Sequence, residues 1–97
     1  MADKLYEQAQ KGIELLNNSI LGLLRAFPNG LSNSEISTKL GINSEHNGNQ
    51  KDYLAYSLLG NLMKDKMIEK KSEKGRTFYK IIIKIWTNNI SLLQYVW

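Results

Sequence analysis

Apolar residues Leu5, Ala9, Ile13, Leu16, Ile20, Leu23, Leu24 and Phe27 recur at steps of three and four along the start of the chain. That is the period of a helix with one buried stripe. Asp3 is placed to cap its start, and Pro28 with Gly30 ends it. The one interruption is Asn17-Asn18-Ser19, whose side chains compete with backbone hydrogen bonds. The pattern therefore predicts either one helix or two over about residues 3–27.

A shorter unit follows in "LSNSEISTKLGI", residues 31–42. Ser32 and Glu35 fit the S-x-x-E capping box, in which each side chain satisfies a free N–H at a helix start. Ile36 and Leu40 share a face, Gly41 permits the left-handed stop, and Ile42 turns back toward the core. A helix of about two turns is unstable alone in water, so this one must lean on neighbours.

The polar run "NSEHNGNQ" reads as a loop or a frayed helix start, after which helical spacing resumes over about residues 50–64. At about 100° per residue from Leu59, the residues Ala55, Leu58 and Leu62 fall on its side. Gln50, Tyr53, Ser57, Gly60, Asn61 and Lys64 fall opposite, and Tyr56 lies at the margin. This outward face is polar and aromatic and nearly free of acid, whereas a face that only meets water usually mixes Glu with Lys.

From Met67 the period changes. "MIEKK" and "TFYKIIIKI" are rich in strand-forming residues, and "SEKGR" between them is a short turn in which Gly75 can take positive φ. The prediction is a β-hairpin with a basic tip, Phe78 and Lys80 facing one way and Tyr79 and Ile81 the other. The closing "TNNISLLQYVW" fits a last helix capped by Thr87 or Asn88, with Ile90, Leu93 and Trp97 on one stripe.

Charge sharpens this picture. Residues 1–49 carry four Lys/Arg against five Asp/Glu, whereas residues 50–86 carry nine against four. The excess positive charge is thus concentrated in one segment, as on a polyanion-binding surface. A solvated lysine-rich surface accounts for the same count. There is no Cys, hence no disulfide and no thiolate metal site. The charged N-terminus has no signal-peptide core, and no window is apolar enough to span a membrane. These features predict a soluble, cytoplasmic, single-domain protein. The sole histidine, His46, sits in the polar run, and neither a paired-carboxylate nor a glycine-rich phosphate motif is present, so no enzyme activity, metal or cofactor is expected.

Two segments carry a family resemblance. "ILGLLRAFPNGLSNSEISTKLGI" resembles the first helix, connection and second helix of a winged helix-turn-helix domain. "LLGNLMKDKMIEKKSEKGRTFYKI" resembles the end of its recognition helix followed by strand, wing and strand, where a Gly-Arg pair and then a Tyr are common. The resemblance covers about residues 20–83. It departs in the longer segment after Ile42 and in Lys66, where many relatives carry Gly. It implies an α+β fold, with a three-helix core, a two-stranded β-hairpin wing, an N-terminal helical extension over residues 3–16 and a C-terminal segment over 87–97.

The resemblance also implies double-stranded DNA as partner, and a small transcriptional regulator as the role. The third helix would enter the major groove, with Gln50, Lys51, Tyr53, Tyr56, Ser57, Asn61 and Lys64 facing the duplex. Wing residues Lys70, Lys71, Lys74 and Arg76 would neutralise phosphates, and Ser32 and Ser34 would hold one at a helix N-terminus. Each has a plainer role: the tyrosines pack on neighbours, the lysines guard an edge strand, and Ser32 caps a helix. A protein-interaction or architectural winged helix, and the recognition domain of a restriction-type DNA enzyme, are the alternative readings. Apolar surface at both termini predicts a homodimer.

Overall fold

The computed structural model describes residues 2–46 and 49–82. Helix α1 (Ala2–Ala26) is followed by α2 (Asn33–Leu40), two short strands β1 (Ser44–His46) and β2 (Asn49–Lys51), α3 (Tyr53–Lys64), and strands β3 (Ile68–Glu73) and β4 (Arg76–Ile81). The described chain is thus α+β, with three helices and an antiparallel β3–β4 hairpin, an arrangement compatible with a winged helix. No described helix is long and apolar enough to cross a membrane.

Helix α1 is continuous through Asn17-Asn18-Ser19. The Ser19 hydroxyl donates to the Leu15 carbonyl one turn back (2.9 Å), so it finds a partner without breaking the helix. Only the second half of α1 reaches the core. Ile20 and Leu24 are fully buried and Leu16 partly so, while residues 2–15 are all exposed. Phe27, which the spacing places on the buried stripe, stays largely exposed beneath the Lys39 ammonium (4.7 Å from the ring centroid).

Helix α2 starts and stops as its sequence dictates. Ser32 accepts from the Glu35 N–H (3.2 Å), and the Glu35 carboxylate accepts from the Ser32 N–H (2.8 Å), completing the capping box. Gly41 takes φ 67°, and the Ile42 N–H reaches back to the Ser37 carbonyl (3.0 Å). The same closure ends α3, with a lysine in the glycine's place. Lys66 has φ 60°, and the Lys66 and Met67 N–H groups donate to Met63 and Leu62 (both 3.0 Å).

The core joins Ile20 and Leu24 of α1, Ile36 of α2, Leu58, Leu59 and Leu62 of α3, Ile68 of β3 and Tyr79 of β4. The buried face of α3 is therefore the one its spacing predicts, with Ala55 included. Tyr79 and Leu31 exchange backbone hydrogen bonds (2.8 and 3.1 Å), which adds a single-residue third rung beside the hairpin. The adjoining Gly30 has φ 96° and lies so close to β4 that a Cβ there would stand 2.6 Å from Phe78 Cδ2 and 3.0 Å from the Tyr79 carbonyl oxygen.

The β3–β4 register pairs Ile68 with Ile81 and Glu73 with Arg76. Its two-residue turn, Lys74-Gly75, takes positive φ at both positions (53° and 78°). That is the turn geometry whose twist matches the flanking strands. Burial is confined to the base of the hairpin, and its outer end is exposed.

Two expectations are corrected. The stretch after Ile42 is neither a loop nor a helix start, because β1 and β2 pair antiparallel, Ser44 opposite Lys51 and His46 opposite Asn49. Helix α3 consequently begins at Tyr53, not near residue 50. The expected C-terminal helix over 87–97 lies outside the described residues.

Candidate nucleic-acid interface

Once Ala55, Leu58, Leu59 and Leu62 are committed to the core, with Met63 packed partly against it, the 3.6-residue repeat turns Tyr53, Leu54, Tyr56, Ser57, Asn61 and Lys64 outward. Tyr53 is 71% exposed and Tyr56 58%, so neither serves the packing role open to a tyrosine. Ser57, Asn61 and Lys64 are exposed beside them. The first turn of α3 carries no acid, and Asp52, just before it, is already engaged. Leu54 also faces outward, at 46% exposure. The wheel that sorted its neighbours puts it opposite Leu59, so the spacing contained this signal. Gln50 and Lys51 do not belong to the helical face, because both lie on strand β2.

The first turn of α2 organises what surrounds α3. The Ser34 hydroxyl donates to Asp52 Oδ2 (2.8 Å), and Asn33 Nδ2 donates to the Asp52 carbonyl (3.4 Å), so the turn is fastened to the start of α3. One residue on, Glu35 Oε1 accepts from Arg76 Nη2 (2.9 Å), which fastens the same turn to the outer end of the hairpin. The beginning of α3 and the basic hairpin end are thereby held on one side of the molecule. None of these three contacts follows from spacing, since the partners are 18, 19 and 41 positions apart.

These bonds also reassign three residues. Ser32 is occupied as a cap and Ser34 by Asp52, and the Glu35 carboxylate sits at the N-terminus of α2, where an anion would bind. Neither serine is poised for a phosphate. Arg76 is exposed but already ion-paired, with its guanidinium near the Phe78 ring (5.8 Å). The Ser32 backbone N–H above all, then the Ser32 hydroxyl and the Arg76 guanidinium, hold the Glu35 carboxyl below the ordinary carboxylate range against an opposing effect of burial. Lys71 pairs with Glu69 (3.4 Å). Lys64, Lys70 and Lys74 are exposed and have no ion-pair partner among the described residues.

Chemically, this side offers two phenols, a hydroxyl, a carboxamide and three unpaired ammonium groups around a helix of about 18 Å. Among the described residues, no three His, Asp or Glu side chains converge as a metal-binding group. The class so defined is a small α+β domain of three helices and a β-hairpin. No protein-family model, curated protein or solved structure matches the chain.

Proposed function

We propose that this is a winged helix-turn-helix protein that binds double-stranded DNA, with α3 in the major groove and the β3–β4 hairpin on the adjoining backbone. The observation that carries this reading is the pair of bonds from the first turn of α2, Ser34 to Asp52 and Glu35 to Arg76, which set the exposed helix and the basic finger side by side. One duplex can then meet both. Tyr53, Ser57 and Asn61 face base edges, where hydroxyl and carboxamide groups find donors and acceptors. Lys64, Lys70 and Lys74 meet phosphates, which fix register without reading sequence. A small transcriptional regulator is the role that fits, and no step in it is catalytic.

Selection of bound sequences from a random duplex pool, followed by fluorescence anisotropy, tests the proposal. The expected result is a consensus bound more tightly than random duplex, with Asn61→Ala or Tyr53→Ala eroding that preference by about tenfold, roughly 1 to 2 kcal/mol. Absence of binding to any duplex at low salt would overturn it. The exposed face of Tyr53, Leu54 and Tyr56 would then be a protein-docking surface.

A further inference from the structure

The stripe that enters the core at Ile20 and Leu24 continues unbroken onto the exposed half of α1. With Ala9 at zero and about 100° per residue, Leu5, Tyr6, Ile13, Leu16, Ile20 and Leu24 all fall within about 60° of it. Asp3, Lys4, Glu7, Lys11 and Glu14, the charged residues of that half, all fall at about 120° or beyond. A helix surrounded by water has no reason to keep every charge off one flank. Yet Leu5 is 62% exposed, Tyr6 66% and Ile13 40%. Residues 2–15 are helical but make no contribution to the core, and a bare helix of that length is marginal in water.

We infer that the missing cover is a second copy of this chain, with the two α1 extensions packed antiparallel about a two-fold axis at Ala9. Leu5 and Ile13 stand four residues to either side of Ala9. The axis therefore layers Leu5 of one copy beside Ile13 of the other, with the two small Ala9 side chains meeting between them. A parallel pairing fails on sterics. At Ile20 and Leu24 the stripe side of each helix is already filled by its own domain, so parallel copies would bring both domains into one space. The antiparallel pairing sends the domains to opposite ends, roughly 40 Å apart at a rise of about 1.5 Å per residue. Specific interfaces begin at about 1,000 Å² in total, and a pairing of two short helical stripes stands at that small end, so the dimer is to be sought over a wide range of concentration.

The chain contains no cysteine, which makes the test clean. Sedimentation velocity on the full chain should show mass rising from monomer to dimer between about 1 and 100 µM. Ala9→Glu and Ile13→Glu, both at exposed positions outside the core, should keep the cooperative unfolding of the core and remain monomeric. On mild oxidation Ala9→Cys should link to itself. Leu5→Cys should link to Ile13→Cys but not to itself, and Leu15→Cys, off the stripe, should not link. A parent that stays monomeric at about 100 µM would overturn the inference; it is the outcome expected if residues 83–97 cover the stripe within one chain. So would self-linking of Leu5→Cys, or a dimer that Ala9→Glu leaves intact. No DNA enters these measurements, so their failure and failure of the proposed function are separable.

Discussion

Positions 30 and 66 occupy the same left-handed region of backbone space, and a substitution at each should move stability in opposite directions. At Gly30, an added Cβ meets the Phe78 ring, the Lys80 side chain and the Tyr79 backbone at 2.6 to 3.0 Å, on a residue with φ 96°. Gly30→Ala combines that overlap with backbone strain and should cost about 2 to 4 kcal/mol, read as a lower urea midpoint at unchanged slope. Lys66 has no comparable reason to be a side-chain-bearing residue. It is exposed and closes α3 with φ 60°, a place where glycine avoids the Cβ penalty. Lys66→Gly should raise stability by about 0.5 to 1 kcal/mol in the same assay. The departure from the winged-helix pattern at this position thus has a local backbone cost.

At the scale of elements, α2 is the piece whose details decide most, because its first turn holds both α3 and the hairpin. Glu35 carries the pH dependence of that arrangement. Its folded-state carboxyl titrates below the ordinary range, so its contribution to stability is fully present above about pH 4.3. The contribution is lost as pH falls through the lowered folded value. Glu35→Gln should keep the hydrogen bonds of the capping box yet flatten that part of the acid-side loss, measured by urea unfolding at a series of pH values between about 2 and 6. The capping box, the Gly41 stop, the buried face of α3 and the hairpin were all legible in the sequence, since each depends on residues within a few positions of one another. The β1–β2 pair was not, because three-residue strands show too little alternation to register against a polar background. Its available signal was the Asn47-Gly48 dipeptide, a common hairpin turn composition that the surrounding polar residues masked. The late start of α3 follows from that omission, and Gln50 and Lys51 left the candidate face with it. The Leu31–Tyr79 rung and the ties from Ser34 and Glu35 depend on tertiary contacts between distant positions, so no local pattern announces them.

For the whole molecule, the proposed duplex complex makes salt dependence the informative measurement. Each lysine that neutralises a phosphate should contribute close to −0.9 to the slope of log affinity against log salt concentration. Lys74 tests this cleanly, since asparagine also suits a positive-φ turn position and leaves the hairpin geometry alone. Lys74→Asn should weaken binding to all duplexes by a similar factor and reduce the slope by about one, read from anisotropy titrations between roughly 50 and 200 mM salt.

Arg76 behaves differently, and the reason is its bond to Glu35. A free lysine that meets a phosphate releases sodium from the DNA's own counterion atmosphere, but this guanidinium already holds an anion that is covalently part of the protein. If it swings onto DNA, the phosphate sheds its sodium, but the Glu35 carboxylate left behind adds a negative charge beside the duplex and offsets part of that release. The net release is smaller than for a free lysine, so the fitted slope should count fewer partners than the basic residues lying against the duplex.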